Sequence, residues 1–284
     1  MNVAQQLVNG LVIGSGFACV ALGWTILLGA ARLVNFAHGQ MYMLAAFICW
    51  FALTRWGLDF TAAAVVAVLA MGVLGILMQS AMSQLVVSQN LTSLMIVTLG
   101  FGYMIQGAAG LGFGGSPHAL ASPADKVQYQ IGGIWFTGQD LIIVTVTLAL
   151  YAGVWLLLNR TRQGAMVRAI AEDPKLAQIF GINTWLVYVA VFMLEAVLVA
   201  IAAVLVAPKT PILTSMGFEE VIMTFVVVVL GGVGNVGGAL VAGLALGIFT
   251  AFFGALVSPA YTTAASFAVL LAFLTLRPEG FSFR

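Results

Sequence analysis

Polar and ionisable side chains interrupt two apolar stretches of this sequence. Asn35, His38 and Gln40 lie within six residues near the start of one stretch, and Glu195 lies in the middle of another. A carboxylate and an imidazole can pass a proton between them, and amides can hydrogen-bond a polar solute. The four side chains are therefore candidates for a transport pathway or its gate. For Glu195, a packing role or a contact with a partner chain is the alternative.

The elements that must position these side chains are membrane helices. The chain has 284 residues, of which 62% are hydrophobic and 7% are charged, and its mean hydropathy is +1.12. Soluble domains carry about 25% charged residues, so this composition excludes a water-facing globule. The balance of 10 Lys and Arg against 9 Asp and Glu offers no basic surface for nucleic acid. We expect an all-α polytopic membrane protein with a single domain over 1–284.

Nine apolar stretches reach the length of a membrane-spanning helix, with an uncertainty of one. They cover 6–29, 37–54, 60–86, 91–112, 139–158, 184–207, 213–231, 236–257 and 260–276. Their continuity predicts helices rather than barrel strands, which alternate in polarity over about ten residues. The sequence therefore predicts a bundle of about nine (8–10) transmembrane helices, in which a carboxyl group at position 195 must face protein or be protonated.

The distribution of Lys and Arg predicts which helix ends face the cytoplasm. Four cations lie in the loop 159–183, which we assign to the cytoplasm: Arg160, Arg162, Arg168 and Lys175. Alternation along the chain divides the other cations into Arg32, Arg277 and Arg284 on the same side and Arg55, Lys126 and Lys209 opposite. The bias predicts an external N-terminus and a cytoplasmic C-terminus. It also predicts an external loop at 113–138, which is a short helix or a docking surface.

The cytoplasmic loop carries the sequence signals of two short helices at an angle. Asp173 followed by Pro174 is a helix start, because an aspartate side chain caps a helix and proline suits its first position. Apolar residues at helical spacing and a terminating glycine follow, at Leu176, Ile179, Phe180 and Gly181. Such a helix either lies on anionic lipid headgroups or docks into a groove on a soluble partner, and the capped geometry favours docking.

Glycine is abundant, at 32 residues, and allows membrane helices to approach closely. We interpret one group as packing positions: Gly100, Gly102, Gly107, Gly110 and Gly112. The stretch 231–238 differs, because Gly232, Gly234 and Asn235 can end or break a helix there. A break at membrane depth must face protein or a water-filled cavity, and paired breaks in the two halves of a chain indicate a pathway. For 231–238 a plain turn is the favoured interpretation and a pathway element is the alternative, whereas for 35–40 both interpretations stay open.

Several other motifs exclude functions. The residues at 232–237 fit G-x-G-x-x-G, but a dinucleotide site needs an acidic residue about 20 positions later, and the next one is Glu279. The sequence has no P-loop motif for ATP. Cys19 and Cys49 lie in apolar stretches and are interpreted as free thiols. His38 and His118 are far apart, so neither a metal centre nor an enzyme active site is predicted.

Four segments resemble permease subunits of ABC importers, in the family that carries branched-chain amino acids. Residues 168–183 (R-A-x-A-E-D-P-x-x-A-x-x-x-G-I-N) resemble the family's coupling segment, and 34–39 resemble its early N-F-A-H-G segment. Residues 229–239 resemble a late glycine-rich segment, with Asn235 where serine is commoner, and 277–280 resemble a closing R-P-x-G. The four segments occur in order over nearly the whole chain.

The resemblance implies a fold similar to the vitamin B12 and ribose importer permeases. It implies a second, homologous permease in a heterodimer, two cytoplasmic ATPase subunits that hold ATP and Mg, an external solute-binding protein, and a bacterial inner membrane. This chain would need no cofactor of its own. The residues implied to couple it to the ATPases are Arg168, Glu172, Asp173, Pro174, Leu176, Ala177, Phe180 and Gly181.

The substrate stays open between several solutes. The resemblance favours branched-chain or other hydrophobic amino acids, but close relatives carry urea, short amides or aromatic acids. A more distant alternative is a secondary transporter in which Glu195 and His38 relay protons without ATP.

Overall fold

The computed structural model describes residues 2–87 and 91–276, which form a bundle of helices and one β-hairpin. The longer helices are α1 (Val3–Ala31), α2 (His38–Arg55), α3 (Phe60–Val87), α4 (Leu91–Phe113), α5 (Gly138–Arg160), α8 (Thr184–Val206), α9 (Met216–Gly231), α10 (Val236–Leu256) and α11 (Thr262–Leu276). Two short helices, α6 (Arg162–Glu172) and α7 (Pro174–Ile179), lie between α5 and α8. The hairpin consists of β1 (Gln128–Ile131) and β2 (Ile134–Thr137).

Within the described ranges, seven helices are long and apolar enough to cross a membrane, namely α1, α3, α4, α5, α8, α10 and α11. The expected count of nine is therefore not confirmed. The remaining predicted spans, 37–54 and 213–231, correspond to α2 with 18 residues and α9 with 16 residues. The helix α9 is shorter than the shortest of the seven spans, Pro259–Leu276 with 18 residues, which is α11 together with the turn before it. The helix α2 has that length but carries polar residues at both ends, among them His38, Gln40 and Arg55.

Glycines bring α1 and α10 into backbone contact along much of their length. A β-carbon added at Gly14 would lie 2.7 Å from the α-carbon of Leu244, and one at Gly243 would lie 2.7 Å from the β-carbon of Ala18. Lipid provides no hydrophobic drive for helix association, so small residues at the contact permit the close packing that holds membrane helices together. The two helices therefore form one packed pair.

The chain turns back into the bundle after α1. Arg32 ends α1 with φ 53°, in the left-handed region, and a non-helical stretch at 32–37 follows, which we call the re-entrant segment. Its backbone polar groups find partners within the protein: the N–H of Phe36 donates to Thr98 Oγ1 at 3.2 Å, and the N–H of Ala37 donates to Asn35 Oδ1 at 3.0 Å. Irregular backbone at membrane depth requires such partners.

The first turns of α2 and α9 meet inside the bundle. A β-carbon added at Gly39 would collide with the carbonyl oxygen of Gly217, and one at Gly217 would lie 2.6 Å from Gln40 Oε1. Both helices therefore begin at a mutual contact, and each is preceded by non-helical chain. The break predicted near 35–40 is thus present, and its counterpart precedes α9 at 210–215 rather than lying at 231–238.

The loop 113–138 contains both a short 3-10 helix (Pro123–Lys126) and the hairpin. β1 and β2 pair antiparallel around Gly132 and Gly133, whose φ values of 58° and 80° suit a tight turn. The side-chain amide of Gln5 pairs with the backbone of Trp135, accepting from its N–H at 2.8 Å and donating to its carbonyl at 2.9 Å. The start of α1 therefore holds the hairpin in place.

The helix α1 connects the two ends of the bundle. Its first turns contact the hairpin through Gln5, while Thr25, Ile26 and Gly29 near its other end line a cavity together with Arg168 of α6. We call these the hairpin end and the α6–α7 end. The predicted external loop and the predicted cytoplasmic loop thus lie at opposite ends, as the topology requires.

Within the described chain, the glycines of α4 differ in their surroundings. A β-carbon at Gly102 would lie 3.3 Å from Gln40 Cγ. At the other four predicted packing positions, no described atom outside the local helix lies within 4 Å of a β-carbon: Gly100, Gly107, Gly110 and Gly112. The closing segment 277–280, with Arg277, and Arg284 lie outside the described residues. Cys19 and Cys49 are buried and free, as expected.

Replacement of Gly39 by alanine tests the contact between α2 and α9. The added methyl group would overlap the carbonyl of Gly217, and overpacking of this kind costs about 1–3 kcal/mol. We expect a lower melting temperature for the purified Gly39→Ala protein in detergent. The control is Gly107→Ala, which adds the same methyl group at a position where no described atom outside the local helix lies within 4 Å. Equal melting temperatures for the two variants would contradict the contact.

Candidate functional site

Three of the four polar side chains singled out above meet in one buried cluster, formed by Asn35, His38 and Glu195. His38 Nδ1 lies 3.0 Å from Glu195 Oε1, and the amide nitrogen of Asn35 lies 3.1 and 3.2 Å from the two carboxyl oxygens. All three residues have zero exposed surface. The cluster joins the re-entrant segment and the start of α2 to the middle of α8, across a sequence separation of 157 residues.

Small and aromatic residues of α1 shape the space around this polar cluster. Gly23 has no side chain, and a β-carbon there would lie 3.1 Å from the carbonyl oxygen of Glu195 and 3.3 Å from His38 Cε1. The Trp24 ring stacks on the imidazole with a centroid distance of 5.8 Å and an interplanar angle of 12°. Helix α1 can therefore pack closely against α8 and α2 at the level of the cluster.

The hydrogen bonds of His38 determine how many protons the cluster holds. Nε2 lies 3.1 Å from the carbonyl oxygen of Val20, which only accepts, so Nε2 carries a proton. One further proton must lie between Nδ1 and Glu195 Oε1, because two acceptors would repel each other. The pair is then either imidazolium with carboxylate or imidazole with carboxylic acid, and its net charge is zero in both forms. A neutral pair avoids the large cost of a single buried charge.

The cluster is internal to the chain. Three cavities of the described chain are lined by residues other than Asn35, His38 and Glu195, and Glu195 forms its hydrogen bonds with Asn35 and His38. Gln40, the fourth candidate, does not join the cluster and packs against Gly217 instead. Its Oε1 has no hydrogen-bond partner within the described part of the chain. In this conformation the geometry thus supports a hydrogen-bonded packing role for Glu195.

The glycine-rich stretch 231–238 forms a tight turn between α9 and α10. Gly232 and Gly234 have φ values of 86° and 79°, which favour glycine, and Asn235 Oδ1 accepts from the N–H of Gly238 at 3.0 Å to cap α10. Gly234 packs against Gly29, since a β-carbon there would lie 2.7 Å from the α-carbon of Gly29. The turn, rather than a break at membrane depth, is the arrangement found.

A cavity of about 430 Å³ at the α6–α7 end brings two predicted groups together. Gly234 and Asn235, predicted as gate residues, line one wall, and Arg168, predicted as a coupling residue, lines another. Asn159, at the end of α5, lies beside them. The glycine turn and the predicted coupling segment are therefore neighbours in space, although 66 positions separate Arg168 from Gly234 in the sequence.

The helices α6 and α7 form a capped projection, which we call the foot. Asp173 ends α6 and caps α7, and its carboxylate accepts from the N–H groups of Lys175 and Leu176 at 2.8 and 3.1 Å. Pro174 occupies the first position of α7, and Gly181 follows the helix with φ 81°. These start and stop signals were predicted from the sequence and are confirmed.

The foot presents apolar side chains on its surface. Ala177 is buried and anchors α7, whereas Leu176, Ile179 and Phe180 have 50%, 80% and 77% of their surface exposed. Arg168 and Glu172 of α6 are also exposed. Isolated exposed apolar residues are common, but three adjacent ones on a capped helix form a patch suited to an interaction.

Sequence reasoning missed the residues that complete the polar cluster. Gly23, Trp24 and Thr98 are residue types common in membrane helices, and they form no recognisable motif. Their role depends on which helices touch at this depth, and this follows from the fold. Among the described residues, no group of three or more His, Cys, Asp and Glu side chains gathers to hold a metal ion.

Replacement of Glu195 distinguishes the hydrogen bonds of the cluster from its charge. In Glu195→Gln, the new amide can donate to Nδ1 of a neutral His38 and accept from Asn35, so we expect a loss of stability of about 1 kcal/mol or less. In Glu195→Ala, His38 and Asn35 stay buried without the carboxyl group. Breaking a buried pair lowers stability by about 3–5 kcal/mol. Melting temperatures of the purified proteins measure both effects. Glu172→Ala, at an exposed position, is the control, and equal losses for the two Glu195 variants would contradict this arrangement.

Comparison with known proteins assigns the chain to a protein family. The family model described as "Branched-chain amino acid transport system / permease component" matches residues 6–274. The high-affinity branched-chain amino acid transport system permease protein BraD of Pseudomonas aeruginosa is 31% identical, over 97% of this chain and 94% of its own length. The permease protein LivH of Escherichia coli K12 is 30% identical over the same shares.

The fold also resembles a solved structure. The structure described as PsaBC from Streptococcus pneumoniae in complex with a Fab superposes with a TM-score of 0.52, covering 98% of this chain and 93% of that chain. The identity is 14%, so this likeness concerns the fold alone. The chain is a multi-pass membrane protein, and by the extent of the family match it belongs to the family of branched-chain amino acid transport system permease components.

Proposed function

We propose that this chain is a pathway-forming permease subunit of an ABC importer. The observation that supports the proposal most directly is the foot, which combines a capped two-helix geometry with an exposed apolar stripe at one end of the bundle. A stripe of this kind fits a hydrophobic groove on a soluble partner. Two cytoplasmic ATPase subunits are the proposed partners, and they would hold the ATP and Mg.

We further propose branched-chain or other hydrophobic amino acids as the solute. The names of the relatives BraD and LivH support this choice, and so does an interior in which charged groups are few. Urea, short amides and aromatic acids are the alternatives within the same family. An external solute-binding protein would determine most of the selectivity among these solutes.

The proposed assembly contains a second, homologous permease and lies in a bacterial inner membrane. The foot would then face the cytoplasm, as the basic loop 159–183 predicts. The hairpin end, with the N-terminus beside it, would face outward and receive the binding protein. The permease itself would have no catalytic site.

A proton-coupled secondary transporter is a second candidate, because His38 and Glu195 are in contact and share one proton. The two residues are fully buried, so a relay would need another conformation that exposes them to water. The two functions differ in their energy source.

Reconstitution decides between these functions. We expect vesicles containing the whole assembly to accumulate leucine only with ATP, and an imposed pH gradient alone to have no effect. The measurement is uptake of radiolabelled leucine, with the same vesicles lacking ATPase subunits as the control. Accumulation driven by the pH gradient without ATP would overturn the importer and favour proton coupling.

Polar substitutions in the foot test the ATPase contact. Ile179 and Phe180 are more than three-quarters exposed, so Ile179→Ser with Phe180→Ser leaves the fold intact. We expect at least a tenfold loss of affinity for the ATPase subunits, because buried aromatic and aliphatic anchors carry most of the energy of such interfaces. Co-purification and solute-stimulated ATP hydrolysis measure the loss. Val233→Ser, at an exposed apolar position in the neighbouring turn, is the matched control, and unchanged co-purification of the double variant would contradict the contact.

A further inference from the structure

A second cavity, of about 580 Å³, lies toward the hairpin end between α1, α9, α10 and the start of α11. Its volume falls within the range of about 300–1,000 Å³ typical of small-molecule sites. One wall carries the carboxyl groups of Glu219 and Glu220, while Phe17 and Met223 supply apolar surface. Asn9, near the start of α1, lies at the same cavity. The lining is therefore about half polar, and its polar side chains come from α1, α9, α10 and the start of α11.

The two carboxyl groups have no cation beside them within the described part of the chain. The ion pairs formed there do not include Glu219 or Glu220. Lys209, at the same end, is already paired with Asp125 at 2.8 Å and Asp140 at 3.1 Å. Ionisable residues inside a membrane bundle pair with an opposite charge or line a watery cavity, so this wall is suited to receive a cation from outside the chain.

The position of the carboxyl groups on α9 keeps them able to bind a cation. Glu219 lies in the first turn of the helix, four residues from its N-cap at Ser215, where the helix dipole stabilises negative charge, and Glu220 follows it. Glu219 is exposed and Glu220 is partly buried. They can therefore meet a solute in the cavity without a change of backbone.

We propose that this cavity receives the ammonium group of an amino acid with an apolar side chain. The carboxylates of Glu219 and Glu220 accept from the ammonium, and the side chain of the solute lies against Phe17 and Met223. The Asn9 amide oxygen already accepts from Gln5 at 2.9 Å, which leaves the Asn9 NH₂ group to donate to the carboxylate of the solute. This assignment rests on the proposed function, because it makes the cavity a reception site on the outer side of the permease.

The test compares charge-removing and charge-keeping variants in the whole assembly. The probe is radiolabelled leucine, and uptake is measured in vesicles of phosphatidylglycerol with and without phosphatidylethanolamine. The lipid comparison is needed because the headgroup of phosphatidylethanolamine is also an ammonium donor. For Glu219→Gln with Glu220→Gln we expect KM for leucine to rise at least tenfold in both vesicle types. For Glu219→Asp with Glu220→Asp, which keeps the charge, we expect less than a threefold rise.

Asp59→Asn is the matched control, since it removes an exposed acidic charge outside the cavity and keeps a side chain that can cap α3. We expect its KM to equal that of the wild type. An unchanged KM in the double Gln variant would overturn the proposal, as would a rise that occurs only with phosphatidylethanolamine, because a lipid amine would then be the occupant. Wild-type vesicles that take up no leucine with ATP would overturn the proposed function and this inference together, and the wild-type control separates that outcome from the other two.

Discussion

Buried backbone N–H and C=O groups need hydrogen-bond partners, and this requirement explains much of the architecture. Lipid cannot supply them, yet the chain leaves helical structure at 32–37 and returns to the middle of the bundle. The return is possible because Thr98 and Asn35 satisfy backbone N–H groups, and because Glu195 on α8 binds both Asn35 and His38. Burying a carboxyl group in a membrane helix costs free energy. Here that group, on Glu195, allows α2 to begin inside the protein.

The polar cluster also depends on packing that glycine alone permits. Gly23 lets α1 approach Glu195, and Gly39 and Gly217 let the first turns of α2 and α9 touch. Each contact removes the space that a methyl group would occupy, so the helices cannot slide without separating. Hydrogen bonds fix the depth at which α2 begins, and glycine contacts fix which helices surround it.

Local signals in the sequence predicted local structure well. Asp173, Pro174 and Gly181 determine the foot through contacts within a few residues, so their pattern sufficed. His38 and Glu195 were both singled out as polar residues in apolar surroundings, but their contact spans 157 positions and depends on where α2 begins. The predicted spans 37–54 and 213–231 are not confirmed for the same reason, since an apolar run does not reveal that its helix starts inside the bundle. The glycines of α4 show the converse, because within the described chain Gly102 lies against Gln40 and Gly107 has no neighbour outside its helix, although the two are the same residue type on one helix.

The helix α1 runs from the hairpin end through the polar cluster to the α6–α7 end. Because it is stiff, it determines where the bundle can deform. It touches the hairpin through Gln5, the polar cluster through the Val20 carbonyl, and the glycine turn beside the foot through Gly29. A continuous helix of 29 residues packed backbone to backbone on α10 cannot absorb a displacement along its length. A movement of the foot would therefore be taken up where helical hydrogen bonds are absent, in the re-entrant segment. That segment ends at the cluster of Asn35, His38 and Glu195, so its hydrogen bonds lie where such a movement has to be accommodated.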